Sequence, residues 1–192
     1  MTITERRMTL EEFLRLAEEE PPLEYWDGKV TRKVSPQGKH GRLETKFAER
    51  VNRFAEPPRL AMAITELRAT FGGGSPVPDV AIYRWDRIPL DPDGAIADVF
   101  VEAPDIAVEI LSPGRGGFET RPYEEQIEKC RWFVDHGVQI ALLFHPRERS
   151  VRLFRPDAEL RVLRGADRID LDAVLPGFEL TVNDLFAMLY PG

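Results

Sequence analysis

Two carboxylate residues interrupt apolar segments that otherwise have the pattern of buried strands. Asp79 lies in the segment SPVPDVAIYRW, and Glu109 lies in APDIAVEILSP, 30 positions further along the chain. A carboxylate among β-branched residues is costly unless a positive charge compensates it. Two such residues on successive strands suggest the ligands of a shared divalent cation. The pattern points to phosphodiester chemistry, because such a cation activates water and neutralises phosphoryl charge.

Side-chain alternation along the two predicted strands decides whether these carboxylates can meet. Successive side chains of a strand point to opposite faces, so Asp79 shares a face with Tyr83, and Glu109 shares one with Asp105. If the strands are neighbours, Asp79 and Glu109 can converge on one cation. Ligation by oxygen alone selects Mg²⁺ or Mn²⁺ rather than zinc. The pattern also fits a second interpretation, in which each carboxylate separately bonds backbone amides or arginines.

The elements that position these residues follow from hydrophobic periodicity and turn residues. In chain order, the sequence first predicts a helix capped by Thr9, a hairpin around Asp27-Gly28 and a second helix that ends before the prolines at 57–58. Strands over 60–71, 77–83 and 106–111 follow, and then a helix over 121–136 and a strand over 139–144. The chain ends with a hairpin over 151–154 and 160–163 and a last helix capped by Thr181 or Asn183. The glycine triplet 72–74 is predicted to join the first two strands. This order is typical of a mixed α/β domain.

The length and the charge distribution bound the organisation of the chain. Its 192 residues fit one domain, in which an N-terminal helix and hairpin (8–35) and a C-terminal hairpin and helix (146–192) flank a core at about 37–145. Between Lys29 and Arg53, eight basic residues and two acidic ones give +6, whereas the formal net charge of −7 leaves −13 for the remainder. A local basic surface on an acidic protein can bind phosphates. A solvated helix face is the alternative interpretation.

Several classes of protein are disfavoured by what the sequence lacks. No apolar run reaches the length of a membrane span, and the first residues form no apolar signal region, so we expect a cytoplasmic protein without a membrane partner. The single cysteine, Cys130, excludes an internal disulfide and a multi-cysteine metal cluster. The three histidines show no HExxH-like spacing, which argues against a zinc enzyme. No GxSxG motif marks a serine hydrolase.

Seven segments together resemble a known family. They are LEYWDGKV, SPQGKHGRL, VPDVAIY, APDIAVEILSP, KCRWFVDHGV, IALLFHPRERSVRLFRP and VLPGFELTVNDLF. Their order and spacing are similar to those of the Uma-type restriction endonuclease family of bacteria, within the PD-(D/E)xK nuclease superfamily. The resemblance runs along most of the chain. It implies an α/β, restriction-endonuclease-like three-layer core, in which a central mixed β-sheet is flanked by helices.

The resemblance also implies roles for individual residues. Asp79 would match the PD element, Glu109 the second acidic ligand, and the backbone carbonyl of Ile110 would supply a third oxygen. The chain departs from the superfamily pattern at the lysine, because Leu111 stands in its place. The resemblance suggests Lys129, on the following helix, as the displaced catalytic lysine. A helical wheel supports this only in part, since Lys129 projects away from the centre of the apolar face, and a solvated helix lysine is the alternative.

Auxiliary contacts are expected around this constellation. Glu24 resembles a family glutamate that could ligate the metal or its water, and a structural role is equally compatible with its position. His40 opens the second helix, near four basic residues at helical spacing, and could contact a phosphate or assist proton transfer; a structural role is equally compatible with its position. The expected nucleic-acid-binding residues are therefore His40, Arg42, Lys46, Arg50 and Arg53.

Three functional hypotheses remain open at the level of sequence. The first is a Mg²⁺-dependent (or Mn²⁺-dependent) endonuclease that acts on DNA, with Asp79, Glu109 and Lys129 as catalytic residues. The second is a nuclease-fold protein with weak or no activity that serves as a nucleic-acid-binding or assembly module. The third is a metal-dependent hydrolase of a smaller phosphate. DNA and a second copy of the chain are the expected partners, and a further protein could supply sequence specificity.

Overall fold

The computed structural model describes residues 8–33, 37–112 and 123–191. The helices are α1 (Leu10–Leu14), α2 (Gly38–Ala55), α3 (Tyr123–Asp135) and α4 (Val182–Ala187), with one 3₁₀ turn at Trp85–Arg87. The strands are β1 (Leu23–Trp26), β2 (Lys29–Arg32), β3 (Ala61–Thr65), β4 (Val80–Arg84), β5 (Ile106–Ile110), β6 (Ile140–His145), β7 (Ser150–Phe154) and β8 (Arg161–Arg164).

A six-stranded mixed sheet forms the centre of the fold. Its strand order is β3-β4-β5-β6-β7-β8, and β1 and β2 form a separate hairpin. Strands β5 and β6 are parallel, whereas the other neighbouring pairs are antiparallel. The parallel pair needs a crossover connection, and α3 lies in that connection. The predicted mixed sheet flanked by helices is confirmed.

The two faces of the sheet carry separate hydrophobic cores. Val80 and Val108 belong to a core that includes Phe47 of α2 and the buried residues of α4. Leu143 of β6 belongs to the opposite core, which includes Phe133 of α3. The period-2 alternation of the strands separates these two sets, because successive side chains leave opposite faces of the sheet. Helices α2 and α4, the sheet, and α3 thus form three layers.

Local sequence explains where several elements begin and end. Asp27 and Gly28 both have positive φ, as the two central residues of a type I′ hairpin require. Thr9 and Thr181 each form a capping box with the acidic residue three positions later, so both predicted caps are present. Gly137 has a φ of 105° just beyond the end of α3, which is a common way to terminate a helix.

Two predicted elements differ from the observed ones. The strand expected over 60–71 ends at Thr65, because Glu66 has a positive φ of 53°, which does not fit an extended strand. The connection to β4 is therefore longer than a glycine turn, and the triplet 72–74 makes a turn within it. Helix α1 spans only five residues, because Phe13 is its only buried residue and little packing supports further turns. The first two residues of the predicted helix over 121–136 lie outside the described residues.

None of the helices in the described part of the chain combines the length and the apolar character that crossing a membrane would require.

Candidate active site

Asp79 and Glu109 lie next to each other at one end of the paired strands β4 and β5. Val80 is opposite Val108 in the antiparallel register, so Asp79, just before Val80, faces the position of Glu109, just after Val108. The Asp79 carboxylate accepts a hydrogen bond from the backbone N–H of Ile110 at 2.6 Å. Both carboxylates are buried, with 2% and 5% exposure. The structure thus brings the predicted acidic pair together.

Lys129 reaches this pair from α3, the helix that packs on one face of the sheet. It is 1% exposed, and its Nζ lies 2.7 Å from Oε1 of Glu109 and 2.6 Å from Oε1 of Glu24. Helix α3 holds the lysine there, because the neighbouring residues Cys130 and Phe133 are fully buried against the sheet. The interpretation of Lys129 as a solvated helix residue is therefore wrong.

Glu24 connects the β1–β2 hairpin to the acidic pair. Its Oε1 accepts the backbone N–H of Val77 at 2.8 Å, in addition to the ion pair with Lys129. Val77 stands two residues before Asp79, so Glu24 fixes the chain that leads into β4. Leu111, which the resemblance matched to the position of the usual lysine, lies in the apolar core under α3.

A second lysine, which the sequence interpretation did not include in the site, contacts the other side of the pair. Lys33 Nζ lies 2.9 Å from Oδ1 of Asp79 and 2.7 Å from Oε2 of Glu66, and it donates a hydrogen bond to the carbonyl of Val77 at 3.0 Å. The His40 Nε2 lies 3.3 Å from the same Asp79 oxygen. Asp79 is therefore flanked by two groups that can carry positive charge.

Sequence signals differ for the residues that were missed. Glu44 lies four residues after His40, on the buried face of α2, and its Oε2 is 3.8 Å from His40 Nε2. The helical spacing could have identified Glu44, because a buried glutamate on an apolar face needs a partner. Lys33 and Glu66 follow the ends of β2 and β3 in irregular backbone and belong to no recognisable motif.

The two carboxyl groups of the pair have pKa values displaced in opposite directions. Burial opposes ionisation of Asp79, but the charges of Lys33 and His40 outweigh it and hold its pKa well below the usual range. Burial raises the pKa of Glu109 to about 7, against the opposing charge of Lys129. Paired acids with divergent pKa values are a recurring property of catalytic sites.

The donor set fits a hard divalent cation. Oxygen ligands converge from several strands, and one ligand atom each of His40, Glu66 and Asp79 lies within 4.8 Å of the others. Five carboxylates contact the two lysines or the histidine, and they belong to Glu24, Glu44, Glu66, Asp79 and Glu109. With the two ammonium groups they leave three negative charges when every carboxylate is ionised and the histidine is neutral. The surplus is smaller when Glu44 and Glu109 are protonated, because burial raises the pKa of each to about 7. Among the described residues, the buried His40 Nε2 has no hydrogen-bond partner. Surplus negative charge and oxygen donors favour Mg²⁺ or Mn²⁺.

The four predicted basic contacts on α2 lie away from the carboxylates. At 3.6 residues per turn, they project from a face of the helix that adjoins the buried stripe and is turned away from His40. These residues, called the basic stripe below, are Arg42, Lys46, Arg50 and Arg53. Of the expected nucleic-acid contacts, the structure therefore brings only His40 to the acidic pair.

Contacts within the molecule engage the whole basic stripe. Arg42 donates to the carbonyl of Met188, and Arg50 donates to the carbonyl of Glu179, each at 2.9 Å. The two remaining members of the stripe form ion pairs with the same residue, Glu49. The stripe thus packs against the C-terminal region and one acidic neighbour, and it can also present charge to solvent.

The mixed sheet with an acidic pair on two central strands places the molecule in the class of restriction-endonuclease-like folds. The sequence profile of the Uma2 family, described as "Putative restriction endonuclease", matches residues 10–183. The chain belongs to this family. A solved structure from Anabaena variabilis, described as a "putative nuclease belonging to DUF820", is similar with 36% sequence identity and a TM-score of 0.88, over 95% of this chain and 99% of that one. No curated protein matches the chain.

Proposed function

We propose that this protein is a Mg²⁺-dependent endonuclease that hydrolyses phosphodiester bonds of DNA. Asp79 and Glu109 hold the cation, Glu24 and the carbonyl of Ile110 assist them, and Lys129 is the catalytic lysine. The observation that carries the proposal is the buried contact of Lys129 Nζ with Glu109, 2.7 Å apart and beside Asp79. Membership of a nuclease family supports the same reaction class and a nucleic-acid substrate.

A divalent cation at this site would lower the pKa of a bound water and neutralise charge on the phosphoryl group. The residues of the chain have separate tasks. Asp79 and Glu109 would hold the cation, and the hydrogen bond from Ile110 N–H keeps the Asp79 carboxylate oriented. Orientation of this kind accounts for much of the rate enhancement in phosphoryl transfer.

Lys129 can both orient the attacking water and stabilise the transition state. Its ammonium is held by Glu24 and Glu109, so its position is set before substrate binds. A preorganised cation beside developing phosphorane charge stabilises the transition state without reorganising. Leu111 has no polar atom and cannot perform this task, which is why the role passes to a lysine from α3.

Cleavage of supercoiled plasmid DNA tests the proposal directly. We expect the wild-type protein to nick the plasmid in Mg²⁺ or Mn²⁺ and to lose this activity in excess EDTA. Asp79→Ala should remove the activity, whereas Asp91→Ala, which removes an exposed carboxylate, should keep it. An Asp79→Ala protein that cleaves as fast as wild type contradicts the proposal.

Two other functions are distinguished by substrate and by binding. A hydrolase of smaller phosphates would act on nucleotides and leave plasmid and oligonucleotides intact. A binding module would retain salt-dependent DNA binding after loss of both carboxylates, through the basic stripe. A homodimer, a partner that supplies specificity and a cytoplasmic location remain predictions, and sedimentation of the purified protein tests the first of them.

A further inference from the structure

The ammonium of Lys33 occupies a cage of oxygen atoms. Its Nζ lies within 3.0 Å of three oxygen atoms: it forms ion pairs with Asp79 Oδ1 at 2.9 Å and Glu66 Oε2 at 2.7 Å, and it donates a hydrogen bond to the carbonyl of Val77 at 3.0 Å. Two carboxylates and a backbone carbonyl are also a donor set that a hard divalent cation takes. Lys33 is only 7% exposed, so this is an interior contact.

Asp79 is engaged through both of its carboxylate oxygens. Oδ2 accepts the backbone N–H of Ile110 at 2.6 Å, and Oδ1 contacts Lys33. The imidazole Nε2 of His40 lies 3.3 Å from this Oδ1, is buried, and has no hydrogen-bond partner among the described residues. A cation that binds Oδ1 would therefore meet the positive charge of Lys33 at short range.

Lys129 does not occupy an equivalent position. It contacts Glu109 and Glu24, and neither of these carboxylates contacts Lys33 in the ion pairs that the structure describes. Each lysine thus bridges its own two carboxylates on one side of the acidic pair. Of the two lysines, Lys33 contacts Asp79 and Lys129 contacts Glu109, and these are the two carboxylates to which the proposed function assigns the cation. The proposed reaction gives a task to Lys129 and none to Lys33.

We propose that Lys33 is an intramolecular competitor for the divalent cation. The cation binds Asp79 only when the ammonium leaves the oxygen cage, and the flexible four-carbon stem of lysine allows this without movement of the backbone. The affinity for metal is consequently lower than the donor set alone would give. This inference rests on the proposed function, since it concerns the same cation.

Titration with Mn²⁺ in a calorimeter tests the competition without a measurement of cleavage. We expect Lys33→Gln to bind Mn²⁺ at least about tenfold more tightly than wild type, which corresponds to about 1.4 kcal/mol. The matched control is Lys39→Gln, because Lys39 is an exposed lysine nearby and its loss changes the net charge by the same amount. The control should have wild-type affinity. Unchanged or weaker binding by Lys33→Gln overturns the inference.

Chemical labelling of the wild-type protein gives an independent test, which decides the matter if Lys33→Gln fails to fold. Reductive methylation read by mass spectrometry should be slow at Lys33 in EDTA and faster at saturating Mg²⁺, while Lys129 stays protected. A Lys33 labelling rate that saturating Mg²⁺ leaves unchanged contradicts displacement. Equal Mn²⁺ affinities of wild type and Lys33→Gln refute only the inference, whereas absence of binding by both refutes the proposed function as well.

Discussion

Strand β5 has one buried carboxylate near each of its ends, and the surroundings of these two carboxylates differ. Asp105, just before the strand, is fully buried and receives four contacts from donors within 3.0 Å: the backbone N–H and guanidinium of Arg84, the guanidinium of Arg87, and the amide of Gln139. Glu109, near the other end, faces Asp79 and forms an ion pair with Lys129, while Lys33 pairs with Asp79. One end is a closed network of donors, whereas the other keeps negative charge in excess.

Burial alone does not identify a functional carboxylate, because Asp105 and Glu109 are both buried. The arginines around Asp105 are one-quarter to one-third exposed, so their charge is solvated while the planar guanidinium satisfies the acid. Around the pair of Asp79 and Glu109 the cations are Lys33 and Lys129, with 8% and 1% side-chain exposure, and carboxylates outnumber them. The alternative considered for Asp79 and Glu109, bonding to backbone amides or arginines, holds for the Ile110 N–H that Asp79 accepts, but the ion-pair partners of the two acids include the lysines Lys33 and Lys129. Asp105 has arginine partners instead.

The largest expected effect separates the two ends by activity. Glu109→Gln keeps the size of the side chain but removes a charge that the proposed cation requires. We expect DNA cleavage to fall by about 10³-fold, or about 4 kcal/mol in transition-state stabilisation. The free energy of unfolding should fall by less than in the Asp105 substitution below, because Lys129 keeps the carboxylate of Glu24 as its ion-pair partner. Single-turnover cleavage and urea denaturation measure the two quantities, and equal activity of mutant and wild type would make both ends of β5 structural.

Asp105→Asn is the matched substitution at the other end. Asparagine can accept fewer of the four contacts and carries no charge to pair with Arg84 and Arg87. We expect the free energy of unfolding to fall by about 3 kcal/mol, the size of breaking a buried ion pair. Cleavage assayed well below the unfolding transition should stay within about twofold of wild type, since other residues supply the catalytic charges. A strong loss of cleavage by the folded mutant would contradict this division of roles.

Lys129→Met tests the cationic partner at the Glu109 end of β5. Methionine preserves much of the length and packing of the side chain but removes the ammonium that contacts Glu24 and Glu109. We expect turnover at saturating DNA to fall by about 10²-fold, the size typical of losing a positioned catalytic group. Lys39→Met, which removes an exposed lysine, provides the control. Unchanged turnover with intact folding would make Lys129 a structural lysine.

The acidic half of the site was predictable from sequence, and the cationic half was predictable only in part. Strand periodicity places Asp79 and Glu109 on matching faces, and the register between β4 and β5 brings them together. A helical wheel could not reveal the burial of Lys129, because the partners that bury it come from β1 and β5. Lys33 lies just beyond a strand end, where no periodicity constrains the direction of a side chain.

The fold, like the site, was predictable from sequence only in part. Alternation and capping motifs predicted most strands and most helix termini, because these are local properties of the chain. The three layers were implied by the resemblance to the family. The premature end of β3 depends on the positive φ of Glu66, a residue type that seldom adopts it, so composition gives no warning. Pairing partners in the sheet are set by long-range contacts, and the sequence predicted the presence of the strands rather than their order.

The smallest expected effect concerns the basic stripe. A substitution there tests whether positive charge away from the carboxylates contributes to DNA binding. Arg53 is mostly exposed and forms an ion pair with Glu49, on the side of α2 away from His40. We expect Arg53→Gln to change DNA affinity by less than about twofold at 0.15 M salt, because an exposed paired charge is screened by salt and contributes little. Fluorescence anisotropy with a labelled duplex, repeated across salt concentrations, measures both affinity and its salt dependence. A loss of DNA affinity of tenfold or more would place the DNA contact on the stripe and favour the binding module. Positive charge in contact with phosphates controls the affinity of such a module, and this contact does not require the carboxylates nearby.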